Sequence, residues 1–192
     1  GFYYDEGAEE CQRCDDDRCD RCYDGRETSC ATCNYLTYAV EGECVDLINV
    51  ALEKTATQSE TYRDRHASLA VDGKPDTGAK QCANTNFLDP WWEVDLADDF
   101  IVKYVTLVRR GDCCKDKLDY ADVDLLDENR SLVATIEYGR AVPVMGFNFW
   151  DRFGEVKNVR YVRVHKIKDK NELTLCEVTV YGYSKATESR TI

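Results

Sequence analysis

Within RRGDCCKDKL, residues 109–118, an arginine (Arg110), an aspartate (Asp112), two adjacent cysteines (Cys113 and Cys114) and a lysine (Lys117) lie close enough to meet one small molecule. Arginine and lysine are donor-only groups that stay charged, and an acid between them fixes their rotamers. Read as bare residues, the same set also makes an ordinary loop ion-pair cluster. If Cys113 and Cys114 bond to each other, their Cα atoms sit only ~3.8 Å apart, and the turn closes as a strained eight-membered ring. Strain of that kind is usually kept for a functional reason. Arg110, Gly111 and Asp112 also spell RGD, a tripeptide that adhesion receptors read, but three-residue matches are common by chance. Catalytic patterns are missing: there is no Ser/His/Asp order around a nucleophile, no metalloprotease histidine pair and no phosphate loop. The expectation is a binding protein, not an enzyme.

The chain has 192 residues, room for one ordinary domain and a small satellite, and its 11 cysteines divide it that way, with seven in the first 44 residues. That density indicates a secreted or cell-surface protein with disulfides. No apolar run approaches the roughly 20 residues needed to span a bilayer, and the start carries no signal-peptide pattern, so the expectation is a mature product or an excised piece. The net charge of −12 is concentrated in residues 1–46, which hold 13 acids against 4 bases. Acid crowded there argues against nucleic acid or an anionic membrane as partner. The last eight residues, KATESRTI (185–192), read as a frayed polar tail.

Residues 1–46 form the first expected module. From Cys11 the cysteines follow C-x2-C-x4-C-x2-C-x7-C-x2-C-x10-C to Cys44, with almost no apolar residues between them, so the segment must be stapled. A four-thiolate zinc site is the rival, disfavoured because the knuckles are too numerous for one ion and the context is oxidising. GFYYDEGAEEC, ending at Cys11, echoes NYLTYAVEGEC, ending at Cys44, and the second copy follows Cys33 directly. The pattern resembles the furin-like or growth-factor-receptor type of cysteine-rich repeat. That resemblance implies a Cys33–Cys44 bond and two further bonds among Cys14, Cys19, Cys22 and Cys30. The echo itself places a cysteine just before Gly1, leaving Cys11 to bond another chain or an upstream segment, or, if the echo is accidental, to be a free thiol.

From residue 47 to 184 the texture changes to short alternating runs: WWEVDL, IVKYVTLV, YADVDLL, LVATIEY, VRYVRVHKI and LCEVTVYGY. A period near two in runs of this length is half-buried strand, and many such strands indicate an antiparallel sandwich with few helices. Asp98 and Asp99 read as a solvated turn between two of them. His66 and His165 both read as solvated.

NVALEKTATQSETY, AVDGKPDT, DPWWEVDL, RRGDCCKDKL and LCEVTVYGY, in that order over residues 48–183, resemble the F-type lectin (fucolectin) domain. The resemblance implies a mainly β fold, an eight-stranded antiparallel jelly roll that binds fucose at one end beside a calcium ion. It assigns sugar contacts to Arg110 and Lys117, with Asp112 held between them, and makes Cys113 and Cys114 a vicinal disulfide against which the sugar's apolar edge packs. The family's third polar ligand, a histidine, is absent: QCANTN puts Asn84, or Ala83 with a one-residue gap, at that position. Asn84 offers both donor and acceptor to a hydroxyl. DTGAKQC, residues 76–82, lacks the aromatic side chains that wall the family's pocket. A long-range disulfide is implied between Cys82 and Cys176. Calcium ligands are implied at Asp72 and Glu177 and at the carbonyls of Leu69, Lys74, Gln81 and Cys176, a set of oxygens suited to this hard cation.

Trp91 and Trp92 read as packing residues. Phe147, Phe149, Trp150 and Phe153 fill a core or expose an aromatic assembly patch. Asn129 opens the NRS glycosylation sequon. Three functions fit: a fucose-type glycan-binding module, an extracellular coat or filament subunit that keeps the fold with a decayed sugar site and self-assembles through Cys11, and the targeting end of a larger enzyme or receptor.

Overall fold

A computed structural model describes residues 1–184 except 9, 25, 27, 28, 35, 41, 87 and 167–170; the expected tail, 185–192, lies outside the described residues, as does the Trp150 side chain. The chain divides into two compact units, Gly1–Ile48 and Asn49 onward. In the first unit the Leu47 N–H bonds the Leu36 carbonyl and prolongs the last hairpin.

The first unit consists of antiparallel ladders Phe2–Asp5 with Glu10–Arg13, Cys19–Cys22 with Cys30–Cys33, and Thr37–Val40 with Glu43–Asp46. Its core is sulfur: Cys14, Cys19, Cys22, Cys30 and Cys44 are buried together with Tyr3 and Cys33 against them. The bonds are Cys14–Cys22, Cys19–Cys30 and Cys33–Cys44. The sulfurs of Cys19, Cys30 and Cys44 lie within 4.8 Å of one another, but all three are in disulfides and have no thiolate to offer zinc. The two echoing segments fold as like hairpins, with Cys11 opposite Tyr4 and Cys44 opposite Ala39. Cys11 is free and exposed.

The second unit is an antiparallel jelly-roll sandwich built on one long strand, Trp91–Val108. WWEVDL and IVKYVTLV, which read as two strands separated by a turn, are one strand with a bulge at residues 97–99. The register slips between Asp95 and Phe100, Ala97 takes φ 71°, and Asp95 Oδ1 accepts the Ala97 N–H at 2.8 Å. A bulge adds twist and bends the strand, so its halves join different neighbours. Trp92 to Asp95 pair with Thr55–Gln58, whereas Tyr104 to Val108 pair with Val144–Asn148 and with Glu177–Ser184. Val156–His165 runs beside the strand and Asp122–Leu126 beyond it.

Alternation buries Trp92, Val94 and Leu96 completely, and the Trp92 indole donates to the Ala67 carbonyl at 3.0 Å. Trp91 faces outward, half-buried, with the Arg163 guanidinium over its ring. Met145, Phe147 and Phe149 are core, which removes most of the proposed aromatic assembly patch; Phe153 alone of the described aromatics in that run is exposed. Asn129 sits exposed in a turn where Asp127 Oδ1 accepts its N–H.

His165 is not the solvated histidine read from sequence. Its Nε2 lies 2.8 Å from Asp124 Oδ2, both side chains mostly covered. The Asp124 bond raises the His165 pKa against the opposing effect of burial. Burial pushes the Asp124 carboxyl up, but hydrogen bonds from His165 and Thr135 and the nearby charge outweigh it and lower its pKa. The pair therefore stabilises the fold between these limits. Its contribution is lost as pH rises through the raised His165 value, and again as pH falls through the lowered Asp124 value. An NMR titration of the His165 ring should give a pKa above the ordinary ~6.5, falling in Asp124→Asn.

Candidate functional site

The long strand ends at Val108 and hands the chain to a loop that carries Arg110 to one end of the sandwich. The Gly111 N–H donates to the Thr77 carbonyl at 3.1 Å, and a Cβ at Gly111 would lie 2.6 Å from Thr77 Oγ1, so only glycine allows the 77–79 segment to pack this closely. Cys113 and Cys114 are bonded to each other, with Cys114 in the left-handed region at φ 55° and ψ 44°. That reversal starts the short 3-10 helix Lys115–Leu118, which presents Lys117.

Arg110 forks onto Asp112, Nε donating to Oδ1 at 2.5 Å and Nη2 to Oδ2 at 3.0 Å, while the Cys113 N–H donates to Oδ1 at 2.9 Å. The Arg110 hydrogen bonds bring the Asp112 carboxyl down to about 2. The RGD tripeptide is thus closed on itself. The Arg110 side chain is 11% exposed, and its Nη1 donates to no described acceptor. A charged donor is therefore held rigid with hydrogen-bonding capacity unused.

Lys117 donates from Nζ to Glu172 Oε2. The same oxygen accepts from Asn84 Nδ2 at 3.3 Å, and Asn84 also bonds the Thr85 carbonyl at 2.8 Å and Thr174 Oγ1 at 2.5 Å. Asn84 is fully buried, so the structure places it behind Glu172 and not on the site's surface. Ala83 is buried beside it. His66 is exposed and makes no side-chain cap to the 3-10 helix that follows it. Glu172 is the site residue that sequence reasoning missed. It sits in a polar connection, KDKNE, with nothing to mark it, and its partner lies 55 residues away in sequence.

Near this loop Cys82 and Cys176 are bonded. The next residue, Glu177, is 4% exposed, and its Oε2 has no hydrogen-bond partner among the described residues. Burial and the neighbouring Asp72 charge push its carboxyl up to about 7, opposed by the Gly73 N–H. Gly73 takes φ 74°, and Asp72 bonds the Lys74 N–H at 2.9 Å. The carbonyls of Lys74, Gln81 and Cys176 accept no hydrogen bond among the described residues. Two close carboxylates, one with an orphaned buried oxygen, and carbonyls without donors form a donor set that fits a hard cation.

The sequence profile of the NedA-like, galactose-binding domain matches residues 69–164. Fucolectin-6 of Anguilla japonica is 32% identical over 140 residues, covering 69% of this chain and 74% of that protein. Fucolectin-4 of the same species is 39% identical over 82 residues, covering 39% of this chain and 46% of its own length, so the chain spans about half of that relative. Among solved structures, a Streptococcus pneumoniae fucose binding module, SpX-3, superposes with a TM-score of 0.65 at 27% identity, covering 72% of this chain and 100% of that one.

Proposed function

Because the chain belongs to the F-type lectin, or fucolectin, family, a non-enzymatic carbohydrate-binding kind, we propose that its Arg110–Lys117 loop binds fucose-type sugars of extracellular glycans. The observation that carries this reading is the pairing of a guanidinium and an ammonium, each pinned by a carboxylate, beside the vicinal disulfide. Arg110 and Lys117 donate to vicinal hydroxyls and the ring oxygen, and the Cys113–Cys114 bond offers a small polarizable face to the sugar's apolar edge. Glu172 supplies an acceptor in place of the family's histidine: its Oε2 is taken by Lys117 and Asn84, and its Oε1 takes no described donor. Asn84 then acts as a positioning residue through Glu172.

Calcium is the resident ion of this reading, held by Asp72, Glu177 and the carbonyls of Leu69, Lys74, Gln81 and Cys176. The orphaned Glu177 oxygen supports it. When bound, the ion neutralises the two carboxylates and pins residues 69–82; it does no chemistry on the sugar. The disulfides support secretion or display on the extracellular surface, where Asn129 would accept a glycan. Among the described residues no helix is long and apolar enough to cross a membrane. The N-terminal unit reads as a furin-like repeat, supported by its two like hairpins. A second reading, a coat or filament subunit with a retired sugar site, is favoured by the exposed thiol of Cys11.

Calorimetric titration with L-fucose, D-galactose and D-mannose tests the proposal. Selective, millimolar or tighter binding of fucose supports it; no binding to any of the three moves the assignment to assembly. In a parallel thermal scan, calcium at about 100 times its Kd should add ~2.7 kcal/mol of stability, and Glu177→Gln should remove most of that gain. No shift with calcium would overturn the ion assignment.

A further inference from the structure

Beside the sugar loop lies a concavity of roughly 430 Å³ lined by Arg63, Asp64, Arg65 and Lys80. Its position is set by two contacts with the site. The Arg65 carbonyl accepts the Asn84 N–H at 3.2 Å, and Lys80 lies three residues after Thr77, whose carbonyl accepts the Gly111 N–H at 3.1 Å. The Arg63 and Arg65 guanidinium carbons sit 5.0 and 5.4 Å from the Tyr62 ring centroid, which holds both heads while leaving their N–H groups unused. Arg63 stands in the left-handed region at φ 56°, an uncommon conformation for a bulky residue.

Three basic side chains and one acid, Asp64, line this pocket. Arg110, Arg130, Arg160 and Arg163 each face a carboxylate. Arg63, Arg65 and Lys80 face none among the described residues, and Asp64 ion-pairs with none of them. In a protein of net charge −12, three unneutralised cations converging on one concavity next to a sugar loop call for an anion from outside.

We propose that this pocket takes an anionic substituent, a sulfate or a carboxylate, on a saccharide adjoining the fucose, which makes the protein selective for acidic fucosylated glycans. The inference rests on the fucose reading above. Arginine forks and a mobile ammonium suit either anion, so the two sources share one chemistry.

Titration of the calcium-loaded protein with a neutral fucosylated oligosaccharide, its sulfated form and its sialylated form tests the inference. At least one acidic form should bind about fivefold or more tighter than the neutral one, with the advantage shrinking at high salt. Arg65→Gln combined with Lys80→Gln should erase that advantage and leave neutral-glycan affinity unchanged, and Arg65→Lys with Lys80→Arg should restore it. Whichever acidic form gains more identifies the anion. Equal affinity for all three glycans, or an advantage that survives the glutamine pair, overturns the inference and leaves fucose binding standing. If the neutral glycan fails to bind while an acidic form binds independently of Arg110 and is lost in the glutamine pair, the fucose reading falls and the anion pocket stands. No binding of any form removes both.

Discussion

Replacing Arg110 with alanine should abolish measurable fucose binding while leaving the thermal midpoint within a few degrees of the parent. A hydrogen bond to a charged donor is worth about 1.5–3 kcal/mol net, and more when its loss leaves a partner unsatisfied, so removing this side chain weakens binding by roughly 10- to 100-fold. For a millimolar ligand that is equivalent to none. Stability should change little because the partner left behind, Asp112, is 46% exposed and rehydrates. Calorimetry and a thermal scan on the same sample separate the two effects. Unchanged affinity would mean that the guanidinium serves only to shape its loop. Parallel loss of binding and folding would mean that Arg110 is a structural residue.

The second large effect concerns the Cys82–Cys176 bond, which joins residues 94 apart in sequence. Closing a loop of that size stabilises by about 4.7 kcal/mol in the chain-entropy picture. Cys82→Ala with Cys176→Ala should therefore cost ~4–5 kcal/mol in denaturant unfolding, a large fraction of the stability of an ordinary domain. The same change should also weaken sugar binding, since Cys82 leads into Ala83 and Asn84, and Cys176 leads into Glu177. Cys113→Ala with Cys114→Ala provides the contrast. Adjacent residues close almost no loop, so stability should hold while fucose affinity falls. Loss of less than 1 kcal/mol in the first variant, or of several in the second, would contradict this division between a structural and a ligand-facing disulfide.

The sandwich was legible from sequence because its strands keep a period near two: Trp92, Val94 and Leu96 are buried, and Asp95 between the last two is half-buried. The bulge that fuses WWEVDL to IVKYVTLV was not, because DD in a polar run reads equally well as a turn or as a kink within one strand. In the site, Arg110, Asp112, Cys113, Cys114 and Lys117 were legible because they are neighbours in sequence. Glu172 was not, since its meaning comes only from folding, which brings it to Lys117 and to the buried Asn84. The Asp124–His165 bond was hidden for the same reason: its partners sit on paired strands, Asp122–Leu126 and Val156–His165, whose register sequence alone leaves open. Charge balance pointed away from nucleic acid but averaged over the local excess of cations at Arg63, Arg65 and Lys80.

The most direct test of fucose recognition is an NMR titration of the isotope-labelled, calcium-loaded protein with L-fucose, following backbone amides and the arginine Nε–H signals. Saturable shifts are expected, confined to residues 110–118 and 172–174, with the Arg110 Nε–H among the most affected. Shifts centred elsewhere on the sandwich, or no saturable change at millimolar fucose, would contradict that recognition.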